Sequence, residues 1–134
     1  MQLKRDPEFG VPYPYKVVVS FYPQAAASVS FAIVKGPRVV ALRLREDDHP
    51  GILATPAQLW VGETPPAERE WGNALAGETG RIPVFVKRLG KQNYTFVGDH
   101  VVLAREATPA ELVTARAAAP HTHGVARIVY LKRV

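Results

Sequence analysis

Residues Ile82 to Gly98, IPVFVKRLGKQNYTFVG, decide the fold. They read as two strands joined by a short polar turn. The first, Ile82–Arg88, is apolar on both faces until Lys87 and Arg88. In the second, Tyr94–Val97, side-chain alternation puts Tyr94 and Phe96 on one face and Thr95 and Val97 on the other. Four cations, Arg81, Lys87, Arg88 and Lys91, fall in this region, and no acidic residue occurs between Glu78 and Asp99. The pattern predicts a buried hairpin with a basic tip and an aromatic opening its return strand. Such a hairpin can touch a phosphate backbone and a base together. A core hairpin with a solvated turn carries the same pattern.

Upstream of it, Pro7, Pro12 and Pro14 mark residues 1–14 as an extended arm, followed by a single domain over 15–134. Strand-like runs cover Tyr15–Tyr22, Ser28–Lys35 and Arg38–Arg45, and Lys35-Gly36-Pro37-Arg38 reads as the turn of a hairpin between the last two. Glu46–Gly51 is an acidic, turn-rich loop. Thr64 caps a predicted helix that runs to about Ala76, with Gly77 beyond its end and with Trp71 and Leu75 on one face. Downstream, His100–Glu106 reads as a short strand. Thr108-Pro109-Ala110-Glu111 has capping-box spacing and opens a helix to about Ala118, which Pro120 stops. Val125–Lys132 is the closing strand. About seven strands in hairpins and two short helices predict a β-rich α+β domain, an antiparallel, partly open barrel with helices at its rim.

The 134 residues suffice for a hydrophobic core without staples. There is no cysteine, which excludes disulfides, thiolate metal sites and cysteine nucleophiles and suits a reducing cytoplasm. No apolar run is long enough to span a membrane, and the polar first ten residues are unlike a secretory signal. The net charge is +5. Residues 1–67 carry 7 Lys/Arg and 6 Asp/Glu, whereas residues 68–134 carry 10 and 6. A basic excess in one half is compatible with a nucleic-acid partner.

From about Ala54 the chain resembles a known domain. Thr55-Pro56-Ala57-Gln58-Leu59, Trp71-Gly72, Ile82–Arg88 and Tyr94-Thr95-Phe96-Val97-Gly98 follow in the order seen in the PUA-like domain at the C-terminal end of bacterial restriction-type helicases and nucleases. That domain is a distant relative of the SRA, EVE and ASCH domains. The resemblance covers roughly Leu42–Leu131. It departs from the family at Leu59–Glu63, where Trp60 is the one aromatic, and in the short spacer between the two strands. The resemblance implies a PUA-like β-barrel and recognition of DNA carrying a modified, flipped base. It also implies a bacterial cytoplasmic restriction or defence setting, with a fused or associated nuclease or helicase module.

Under that reading Trp60, Trp71 and Tyr94 wall a base pocket, and Arg81, Lys87, Arg88 and Lys91 hold phosphates. Asp99 accepts from an exocyclic amine. Each residue also has a plain structural role: tryptophans as core plugs, Tyr94 as a half-buried ring, the cations as a solvated face, Asp99 in a turn. Two other function classes stay open. One is a protein-interaction domain docking through a barrel edge or the proline-rich arm. The other is a metal-dependent hydrolase or nuclease using Asp99, His100 or the His121/His123 pair. There is no Walker loop, Gly-x-Gly-x-x-Gly or nucleophile elbow. No catalytic residue, cofactor or metal site is therefore assigned.

Overall fold

The Ile82–Gly98 stretch forms the expected hairpin within a computed structural model that describes residues 6–27, 31–63, 66–118 and 124–134. Along the chain run β1 (Pro12–Tyr13), α1 (Tyr15–Ser20), β2 (Ala26–Ala27), β3 (Ala32–Lys35), β4 (Arg38–Arg45) and β5 (Ala57–Val61). Then come α2 (Pro66–Ala76), β6 (Ile82–Lys87), β7 (Tyr94–Val102), α3 (Pro109–Ala118) and β8 (Arg127–Arg133). The strands lie in the order β2-β3-β4-β6-β7-β8-β5, and β1 pairs with β7 off this path. The result is a strand-rich α+β fold with a curled mixed sheet, a half-barrel, and three helices among the described residues.

The barrel is not wholly antiparallel as expected: β4 and β6 run parallel, with Leu42 opposite Val84 and Arg45 opposite Lys87. Parallel neighbours need a long crossover, and here the chain leaves through β5 and α2 before returning. That route covers one face of the sheet. Leu42, Leu44, Leu59, Val84, Val86 and Leu131 form the main core there, together with Leu75 of α2. The opposite face carries two smaller clusters. Val18 and Phe21 pack on Ile33, Phe85 and Phe96. Ala115 of α3 packs with Ile128 and Tyr130 of β8.

Several expectations need correction. Tyr15–Tyr22 is not a strand, because Tyr15–Ser20 is helical. Pro14 sits at φ −59° and its carbonyl accepts from the Val17 and Val18 amides at 2.9 and 3.0 Å. Val18 and Phe21 then share a face, and the Phe21 ring stacks 6.2 Å from Phe85. Burying two such side chains is worth about 1.5–3 kcal/mol each, more than the roughly 0.5 kcal/mol per valine that disfavours a helix. In the run read as Ser28–Lys35, β3 is confined to Ala32–Lys35 and pairs with Ala26–Ala27, while residues 28–30 lie outside the described residues. Ala57–Val61, to which the sequence pattern assigns no element, is a strand paired along β8. His100–Glu106 is not a separate strand. Instead β7 runs on to Val102 through a bulge, with Val97 and Gly98 together opposite Val84. Gly98 has φ +99°, and the Arg133 side chain lies over it, 3.3 Å from where a Cβ would stand.

The other local readings hold. β4 spans Arg38–Arg45, and the Gly36 turn joins it to β3. The capping box is formed: the Thr108 amide donates to Glu111 Oε1 at 3.0 Å and the Glu111 amide to Thr108 Oγ1 at 3.1 Å. The proposed Thr64 cap and Pro120 stop lie outside the described residues.

Candidate functional site

The aromatic residues singled out in the sequence do not share one pocket. Trp60 on β5 packs beside Ile128 and Tyr130, with its indole N–H donating to Gln58 Oε1 at 3.2 Å. Its amide donates to Nδ1 of the buried His49 at 2.9 Å. Trp71 on α2 packs against the core on the opposite face of the sheet. Tyr94 is buried in the cluster beneath α1, its ring centroid 6.0 Å from that of Tyr15. Three aromatics thus serve three separate clusters.

The cations divide as well. Lys87, Arg88 and Lys91 gather at the β6–β7 turn, where Arg88 Nε lies 3.8 Å from Glu46 and the Leu89 amide donates to Glu46 Oε1 at 3.1 Å. Arg81 is exposed at the other end of β6. His121 and His123 lie outside the described residues. Among the described residues, no group of three or more His, Asp or Glu side chains is placed to hold a metal ion.

Asp99 and His100 are adjacent on β7 and therefore face opposite sides of the sheet. Asp99 opens on the α1 side, among Phe21, Tyr22 and Phe96. His100 opens on the α2 side, where the sheet forks. The start of β7 pairs with β1, through Pro12 opposite Thr95 and Tyr13 opposite Tyr94. Only its end, His100 to Val102, pairs with β8. Most of β8 pairs instead with β5. The strands diverge, and a cleft of about 570 Å³ lies at the fork, lined by Ile52, Ala57, Val97, Leu131 and His100.

His100 is 5% exposed. Its Nδ1 lies 3.0 Å from the Gly98 carbonyl oxygen, which can only accept, so in the neutral ring this nitrogen carries the proton. Burial pushes the imidazole pKa down from 6.5, the Gly98 carbonyl opposes that shift, and the Arg133 charge adds to it. A ring held neutral in this tautomer has an acceptor lone pair on Nε2, and among the described residues no hydrogen bond uses it. The cleft mouth is different in character. Lys132 and Arg133 stand there, exposed, and the Arg133 guanidinium sits 4.0 Å over the ring of Phe9, which is 58% exposed. The arm holding Phe9 is tied down: the Gly10 amide donates to Phe96 O at 2.8 Å and the Phe96 amide to Val11 O at 3.1 Å.

A mostly apolar slot that holds the His100 acceptor and has an aromatic–cation rim can take a flat heterocycle bearing an N–H donor, with an anionic group left at the mouth. The sequence reading assigned no site role to Phe9, Lys132, Arg133 or the 52–56 loop, which includes the cis Thr55–Pro56 peptide. The paired cations in the closing strand were the available signal. Nothing local indicated that they meet His100. No protein-family model, curated protein or solved structure matches this chain.

Proposed function

We propose that this chain is a PUA-like DNA-recognition module that takes a modified, unstacked base into the cleft at the β7–β8 fork. The observation that carries the reading is the unused Nε2 acceptor of a buried, neutral His100 inside an apolar slot rimmed by Lys132, Arg133 and Phe9. In this reading His100 accepts from an exocyclic amine or ring N–H. Phe9 stacks, and the two cations hold the flanking phosphates. Tyr94 and His100 are six positions apart on β7, roughly 20 Å at strand spacing. Lys87, Arg88 and Lys91 therefore sit where one duplex of about ten base pairs reaches both the slot and the basic turn. The setting in which such a module acts is a restriction or defence enzyme, with a nuclease or helicase supplied by another module.

Fluorescence anisotropy at fixed salt tests this. The probes are matched short duplexes, one unmodified and the others carrying 5-methyl-, 5-hydroxymethyl- or glucosylated cytosine, or N6-methyladenine. The expected result is a preference of about tenfold or more, about 1.4 kcal/mol, for one modified duplex. His100→Leu erases that preference and leaves general binding. Lys132→Ala weakens all duplexes alike and lowers the salt slope by about one. Equal, steeply salt-dependent binding to every duplex, or no binding, overturns the proposal.

A further inference from the structure

The second cleft, on the Asp99 face of β7, has the opposite chemistry. It encloses about 420 Å³ and is lined by Phe21, Tyr22, Phe96, Pro83, Asp6 and Asp99. Among the described residues, no Lys, Arg or His lines it. Its walls are rings set at an angle. Phe21 and Tyr22 lie 6.5 Å apart at 67°, and Tyr22 stands nearly perpendicular to Phe85, which lies beneath them, at 6.3 Å and 82°. The Tyr22 hydroxyl is buried and has no hydrogen-bond partner among the described residues. Burial first, then the Asp99 and Asp6 charges, raise the phenol's pKa, so the ring stays neutral and both carboxylates act on the same space. Among the described residues, neither carboxylate side chain has an ion pair or hydrogen bond.

Two unpaired carboxylates repel phosphates and other anions and favour a cation. A metal ion does not suit the site, since the walls are carbon and the described residues hold no cluster of three ligands. A primary ammonium is compact and strongly hydrated, and rings and prolines do not replace its water. A methylated ammonium is weakly hydrated. It presents methyl groups to ring faces while its charge is drawn to the ring quadrupoles and to the carboxylates. We infer that the Tyr22–Asp99 cleft binds a methylated ammonium group, carried either by a small molecule or by a methylated lysine side chain. This site is separate from the His100 slot, because β7 stands between them.

Amide chemical shifts of Gly98 and Asp99, together with the Tyr22 ring signals, test it at constant ionic strength. The probes are tetramethylammonium, choline, a short trimethyllysine peptide, ammonium, and 3,3-dimethyl-1-butanol, the uncharged isostere of choline. Saturable shifts are expected with at least one methylated cation, and binding about tenfold weaker or absent for ammonium and for the isostere. Asp99→Asn should weaken binding about tenfold while leaving distant amide signals in place. If that variant does not fold, the exposed Asp6→Asn is the substitute, with an expected loss of about threefold. Choline saturating ahead of the peptide identifies a small-molecule ligand, and the reverse identifies a protein side chain. Three results overturn the inference: no saturable shift with any methylated cation, equal binding of the uncharged isostere, or unchanged affinity in a folded carboxylate variant.

Discussion

Gly72 lies inside α2, where alanine is ordinarily about 1 kcal/mol better than glycine. The close approach of α2 to β5 reverses that preference. A Cβ at residue 72 would stand 2.5 and 2.7 Å from the two Val61 methyl groups and 3.2 Å from Val61 Cβ. Carbon atoms settle at about 3.5–4.0 Å, so either the helix lifts by about 1 Å or Val61 turns. Val61 is 1% exposed, and a β-branched residue has little χ1 freedom. Overpacking of this kind costs about 1–3 kcal/mol. Taking the middle of that range less the helix gain, Gly72→Ala destabilises by about 1 kcal/mol. Val61→Ala alone removes two methyl groups and leaves a cavity, a loss of about 2 kcal/mol. In the double variant the new methyl occupies the vacated space. The clash disappears, the helix gain returns, and the total falls below the sum by at least about 1 kcal/mol. Urea unfolding of the four proteins at 25 °C measures this as a double-mutant cycle, provided the m-values agree. Additivity within about 0.5 kcal/mol, or a stabilising Gly72→Ala, would refute the packing argument.

Other expectations follow from single contacts. Thr108→Ala removes the oxygen that caps α3 and should cost about 1 kcal/mol, read as a lower midpoint in thermal unfolding, while Thr108→Ser should stay near wild type. His100 has a folded pKa below 6.5 because the fold buries it, so the unfolded chain takes up a proton first as pH falls. Stability should therefore be highest above pH 6.5 and decline below it, down to the folded pKa. In His100→Leu that part of the pH dependence of the urea midpoint should vanish. Glu78 is the reverse case. Its hydrogen bond to Arg38 holds the carboxyl below its usual pKa of 4.5, against the opposing effect of burial, and the Val39 amide also donates to it at 3.0 Å. The stability it contributes is present above pH 4.5 and is lost as pH falls through the lowered folded value. Wild type should exceed Glu78→Gln at pH 7, and the two acid-unfolding profiles should converge at low pH.

What the sequence reveals about this fold depends on how far apart the deciding residues lie. The β6–β7 hairpin, the β3–β4 turn and the α3 capping box are each settled within about fifteen residues by alternation, glycine or cap chemistry, and each is legible. α1 is not, because Val17–Val19 carry strand propensity and it is packing on distant residues such as Ile33, Phe85 and Phe96 that makes a helix the better way to bury Val18 and Phe21. The parallel β4–β6 pairing is equally hidden, since it joins segments separated by β5 and α2. The site follows the same rule at finer grain. Asp99 and His100 are adjacent in the sequence, but neighbours in a strand face opposite ways. The fork supplies His100 with Lys132 and Arg133 from the end of the chain and Phe9 from its beginning. The α1 helix supplies Asp99 with Phe21 and Tyr22. Two adjacent polar residues thereby enter environments of opposite charge, one suited to an anion-bearing heterocycle and one to a cation. Exchanging the pair, Asp99→His with His100→Asp, keeps the composition while placing a carboxylate beside Arg133 and an imidazole among the rings. If the faces are what matter, that double variant should lose both binding activities although net charge and sequence content are unchanged.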